Sequence, residues 1–146
     1  MLATLRFTTR PAARSFTLAL SFPTPSRPFA MSASQQHQNP WTEQPKSLDD
    51  LKTYLVIVSD VVESKRVEVR AQHLEEARSA FANGWFIEAG ATFADDSRTK
   101  MTGSYLLMRG ESPKEIKARL SKDIYSEGGV WDVTNAQITP VFRAKH

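Results

Sequence analysis

The amino-acid sequence predicts an α+β fold: a four-stranded antiparallel sheet with two helices on one face, in the order βαββαβ. Three observations predict it. A β-branched and aromatic run, Thr53–Ser59, precedes a stretch of helical apolar spacing that stops at Asn83-Gly84. Two further apolar runs of strand length, Trp85–Ala91 and Gly103–Arg109, follow with only a polar loop between them. A strong helix start at Ser112-Pro113 then leads to a last strand-like run, Val130–Phe142. That order is the ferredoxin-like split βαβ arrangement.

Before the folded part lies a leader. Residues 1–42 hold four Arg (Arg6, Arg10, Arg14 and Arg27) and no acid, leaving 15 basic and 16 acidic residues for 43–146. The net charge of +3 therefore belongs to the leader. An Arg-rich, Ser-rich, acid-poor start is the composition of a mitochondrial presequence, expected over 1–30. Arg6, Arg10 and Arg14 recur at i, i+4 spacing on one helical face, although Pro11 interrupts a helix there. The short apolar stretch Phe16–Phe22 is broken by Thr17 and Ser21 and has no small-residue cleavage site behind it, which argues against secretion. Arg27-Pro28-Phe29-Ala30 resembles a mitochondrial processing pattern, and Met31 offers an internal start. The expected location is the mitochondrial matrix, or the cytoplasm from a start at Met31. Residues 31–52 read as a polar linker, with His37 a solvated member of it.

The first strand, Thr53–Ser59, ends at Asp60. The helix expected from about Ser64 to Ala82 places Leu74, Ala77 and Phe81 at i, i+3 and i+7. Residues 92–102 form a polar loop between the second and third strands. In the second helix Ser112 is the N-cap, Pro113 takes the first helical position and Glu115 completes a capping box, with Ile116 and Leu120 facing the core. Residues 122–129 are expected to turn through Gly128-Gly129. The last strand is expected to bend around Asn135–Gln137, where its alternation fails. Leu55, Val56, Ile57 and Val58 are apolar at consecutive positions, so both faces of the first strand require cover. Two helices cover one face, and a homodimer packed sheet against sheet covers the other. Trp85, Phe86, Tyr54, Tyr105 and Trp131 are expected in the core or that interface.

Composition excludes several functions. With no Cys there is no disulfide framework, thiolate metal site or thiol nucleophile. One His in the folded body beside scattered carboxylates gives no converging metal set, so no metal is expected. No Gly-rich phosphate loop occurs and no cofactor is expected. The near-neutral folded part lacks a basic footprint for nucleic acid. No apolar run reaches membrane-spanning length.

From Thr53 to Arg143 the chain resembles the YCII-related (YciI-like) proteins of the dimeric α+β barrel superfamily. The residues that carry the resemblance are Asp60 at the exit of the first strand, Arg70-Ala71-Gln72-His73-Leu74 and Ala89-Gly90. They continue with Thr102-Gly103-Ser104, Asp123-Ile124-Tyr125, Gly128-Gly129-Val130 and Ile138-Thr139-Pro140-Val141-Phe142. The resemblance covers 53–143 and none of the leader. It implies a small dimer with a pocket between helix and sheet, a small-molecule ligand, and lyase or isomerase chemistry on small ring compounds. By position, its pocket His and Asp are His73 and Asp123. Ile124 stands where the family usually has Pro.

An imidazole titrates near neutrality and serves as general base or acid, and a carboxylate on one nitrogen fixes its tautomer. His73 and Asp123 are therefore the candidate catalytic pair for a proton transfer. Arg70, one turn before His73, suits an anionic group. Ser104 at the start of the third strand offers a hydrogen bond, and Asp60 a place at the pocket mouth. These three are the candidate substrate-binding residues. The alternative is a non-catalytic dimeric ligand-binding or scaffold module, in which His73 and Asp123 do not meet.

Overall fold

Strand β1 (Lys52–Ser59) forms where its β-branched run predicts it, with Tyr54, Val56 and Val58 buried and the alternate residues facing the other way. The computed structural model describes residues 36–144, which belong to one compact unit; the presequence expected over 1–30 and the terminal His146 lie outside them. The chain continues through α1 (Arg66–Ala82), β2 (Phe86–Phe93), β3 (Met101–Gly110), α2 (Pro113–Leu120), the short α3 (Ile124–Glu127) and β4 (Gln137–Val141). The sheet order is β2-β3-β1-β4 with antiparallel pairing throughout, which is the ferredoxin-like α+β arrangement.

Local chemistry sets the boundaries. Gly84 takes φ +78°, the left-handed conformation that ends α1. The Ser112 hydroxyl accepts from the Glu115 backbone N–H at 3.2 Å, and Pro113 opens α2. The Glu115 carboxylate turns to Arg119 (2.9 Å) rather than back to the cap, so only half of the expected capping box forms. Ile116 and Leu120 are sealed against the sheet, and each such burial contributes about 1.5–3 kcal/mol. They meet the inner sheet face of Val56, Val58, Leu106 and Met108 in one core.

Four expectations need correction. The inward side of α1 carries Arg66, His73, Glu76, Ala77 and Ala80, while Leu74 and Phe81 stay largely exposed at 43% and 44%. Buried hydrogen bonds and ion pairs allow the polar side chains to face inward, so the apolar period was not the guide to the buried face. Residues 122–129 contain the helical turn α3, capped by Asp123, whose side chain accepts from the Tyr125 N–H. The expected long last strand is interrupted: Trp131 bridges Asp60, the Asp132 side chain caps a 3-10 turn at Val133–Asn135, and β4 begins at Gln137. Pro140 is tolerated because β4 lies at the sheet edge.

The fourth correction concerns the polar linker expected over 31–52. Its described part is packed on the domain, and Trp41 is wholly buried in the core. His37 is not solvated. Its Nε2 lies 2.7 Å from Glu76 Oε1 and its Nδ1 2.6 Å from Glu127 Oε2. The signal missed was one large aromatic, which outweighs the polar composition around it once it finds a buried acceptor.

Candidate active site

Helix α1 and α3 bring together two residues fifty positions apart. His73 Nδ1 lies 3.0 Å from Asp123 Oδ1, and both side chains are buried. Asp123 is held from two further sides. Its Oδ1 also accepts from the Tyr125 N–H at 2.9 Å, and its Oδ2 accepts from the Trp41 indole N–H at 2.7 Å. The cap on α3 thus fixes the carboxylate directly before Ile124. The His73 ring stacks on Tyr125, with centroids 3.6 Å apart and planes 9° from parallel, and meets Trp131 edge-on at 5.1 Å. Edge and face of the imidazole are both fixed.

With Nδ1 turned to the carboxylate, Nε2 is left over. Among the described residues it has no hydrogen-bond partner, and it is not one of the sealed polar atoms. His73 borders a cleft of about 180 Å³ between α1 and strands β2 and β3. Leu74, Phe81, Phe86 and Met101 give it apolar walls, which accounts for the outward-facing residues of α1. Arg70, exposed at its edge, makes no ion pair among the described residues.

The remaining predicted site residues separate into two groups. Arg70 and Ser104 border the cleft, whereas Asp60 does not. Asp60 instead holds Arg66 through two 2.6 Å contacts, from Nε and one terminal nitrogen. The same guanidinium donates to the Ser104 hydroxyl at 3.1 Å, and the Trp131 indole N–H donates to that hydroxyl as well. The Ser104 oxygen is thus an acceptor for the scaffold, and its own O–H remains to donate. Burial works against the Arg66 charge, but the hydrogen bond and charge of Asp60 outweigh it and raise the Arg66 pKa above its ordinary value. Burial raises the Tyr125 hydroxyl too, against the opposing charges of Arg66 and Arg70, so the phenol stays neutral near pH 7. Beside Ser104, a Cβ at Gly103 would sit 2.3 Å from the Val58 carbonyl oxygen, so only glycine lets β3 close onto β1 here.

Sequence reasoning missed Arg66, Tyr125 and Trp41 as site residues. Arg66 had a signal: it precedes His73 by seven residues, two helical turns on the same face. Tyr125 was visible only as part of the Asp123-Ile124-Tyr125 fragment. Among the described residues no group of three His, Asp or Glu side chains has metal-site geometry.

No family model matches the chain. It is 33% identical over 102 residues to the fusaric acid biosynthesis protein 2 of Gibberella fujikuroi, covering 66% of this chain and 97% of that protein. It is 28% identical over 96 residues to the aspercryptin biosynthesis cluster protein B of Emericella nidulans, covering 61% and 62% respectively. Among solved structures it is similar to a 5-chloro-2-hydroxyhydroquinone dehydrochlorinase from Burkholderia phenoliruptrix, in complex with 2,5-dihydroxybenzoquinone. That match has a TM-score of 0.50 and 25% identity, over 64% of this chain and 94% of the other. The likeness shares the α+β sheet-and-helix arrangement and fits a YciI-like type of fold. Because a third of the aligned residues agree along nearly the whole of the Gibberella protein, the chain belongs to the family of the fusaric acid biosynthesis protein 2.

Proposed function

We propose that this protein is a small-molecule enzyme whose His73 takes a proton from a hydroxylated ring compound held in the cleft. One observation carries the reading: a buried His–Asp pair, 3.0 Å apart, leaves the second imidazole nitrogen without a hydrogen-bond partner among the described residues, on a side chain that borders a cleft. The Asp123 carboxylate keeps the Nδ1 proton in place and stabilises the imidazolium that forms, and Nε2 is the base. Such a base typically contributes 10²–10⁴-fold to the rate.

The cleft supports the substrate class. At about 180 Å³ it is well below the volume of a drug-sized pocket and suits a single substituted ring between apolar walls. Arg70 supplies positive charge for the oxygen that loses its proton. In the proposed step the substrate O–H or adjacent C–H bond breaks and its proton moves to Nε2. The electron pair left behind shifts through the ring, and a leaving group departs with its bonding pair. Where no leaving group is present, the proton returns at another atom and the outcome is isomerisation. The relatives named for fusaric acid and aspercryptin biosynthesis and the dehydrochlorinase support chemistry on small organic molecules. A non-catalytic scaffold would more naturally fill the space beside the imidazole.

The test is a thermal-shift comparison of wild type and His73→Ala against hydroxybenzoquinones, dihydroxybenzoates and aliphatic acids. A compound at a hundred times its Kd adds about 2.7 kcal/mol of stability. The expected result is stabilisation by hydroxylated rings that His73→Ala loses. Equal stabilisation of both proteins, or stabilisation by aliphatic acids alone, contradicts the reading.

A further inference from the structure

Asp123 has two carboxylate oxygens, and each meets one group that only donates. Oδ1 meets the Tyr125 backbone N–H at 2.9 Å, and Oδ2 meets the Trp41 indole N–H at 2.7 Å. Neither donor can accept a proton in return. With Asp123 fully buried, a proton on Oδ2 would point at the indole donor or displace it. Among the described residues the neighbour able to take either role is His73, and against an ionised Asp123 its Nδ1 is the donor. Remove the indole, and Oδ2 becomes a buried oxygen without a partner, the natural place for a proton or for rotation of the group. Once the group rotates and presents a hydroxyl to Nδ1, that nitrogen becomes an acceptor and the imidazole proton moves to Nε2, where it is useless as a base.

The segment carrying Trp41 is attached in a way that serves this contact. Four successive backbone carbonyls are captured by side chains of the domain. Arg119 donates to Pro40 O at 2.7 Å, Asn83 to Trp41 O at 2.8 Å and Thr42 O at 3.1 Å, and the Trp85 indole to Glu43 O at 2.7 Å. The Trp41 ring packs 4.6 Å from Phe86, centroid to centroid, and is wholly buried.

We propose that Trp41 is a positioning residue of the site: its indole holds Asp123 as an acceptor and thereby keeps His73 in the Nδ1–H tautomer with Nε2 free. The strap at residues 36–43 is then a working part of the site. This inference rests on the reading of His73 as the base, but its test reads the imidazole and not turnover, so the two fail separately.

The experiment is NMR of the full chain with ¹⁵N-labelled histidine, comparing wild type with Trp41→Phe, which keeps an aromatic ring and removes the N–H. Wild type is expected to show His73 as a single Nδ1–H tautomer. Trp41→Phe is expected to show a mixture, or the Nε2–H form. A pure Nδ1–H tautomer in Trp41→Phe overturns the proposal, whatever happens to the melting temperature. A merely structural Trp41 would lower stability without moving the tautomer. Should Trp41→Phe not fold, the intact chain still decides. Its Trp41 indole proton is expected to exchange slowly with solvent, and exchange at the rate of a free indole overturns the contact on which the proposal stands.

Discussion

His73 and Tyr125 lie ring on ring, 3.6 Å apart and 9° from parallel, while Asp123, two residues earlier, holds the edge of the same imidazole. The short helix α3 and its N-cap residue therefore grip the histidine at two points. The grip uses ordinary materials: an Asp that caps a helical turn and an aromatic two residues further along. The same Asp123 carboxylate caps α3 and holds His73, so the cap is compatible with the role proposed for Asp123.

The buried Asp60–Arg66 pair is expected to be a major support of the site. Both side chains are about nine-tenths buried, and the guanidinium also lies 4.7 Å from the Tyr125 ring centroid. Asp60→Ala strands a buried charge, which should cost about 3–5 kcal/mol. Urea denaturation measures it, and a loss under about 1 kcal/mol would show that Arg66 finds solvent without Asp60.

The strap should hold more firmly in mild acid. Burial pushes the His37 pKa down, but the Glu127 hydrogen bond and the charge and hydrogen bond of Glu76 outweigh it, so the folded value is raised above 6.5. A raised folded value means the stabilisation is complete below about pH 6.5 and is lost as pH rises through the higher folded value. Melting temperature relative to His37→Ala, followed from pH 5.5 to 9, should therefore show an advantage for wild type that shrinks with rising pH. A constant difference would show that His37 contributes packing and no charge.

Dimerisation through the bare face of the sheet is our proposal for the second layer. Leu55 pairs with Leu107 and Ile57 with Tyr105 across β1 and β3, all turned away from the helices. Light scattering at micromolar concentration should give twice the chain mass for wild type and a single-chain mass for Leu55→Lys. A monomeric wild type contradicts the proposal.

Much of the fold was legible because its signals are local. The β-branched run of β1, the Asn83-Gly84 stop and the Ser112-Pro113 start each act within a few residues. The buried face of α1 was not, because Arg66, His73 and Glu76 face inward on the strength of partners from other elements. The break before β4 depends on one Asp132 cap. The candidate pair His73 and Asp123 came from resemblance by position, and no spacing rule brings residues 73 and 123 together. Trp41 was hidden for the opposite reason. Its neighbours in sequence are polar, and the partners of its indole ring, among them Asp123 Oδ2 eighty-two residues on and the Phe86 ring, are distant along the chain.

The most direct measurement is a crystal structure of the protein soaked with the ring compound that stabilises it most in the thermal-shift comparison. The account predicts that ring in the cleft beside Leu74 and Phe86, with one of its oxygens or acidic carbons at about 2.6–3.2 Å from His73 Nε2 and Nδ1 still on Asp123. A ring bound elsewhere, or one seated in the cleft with Nε2 out of reach, contradicts the role given to His73.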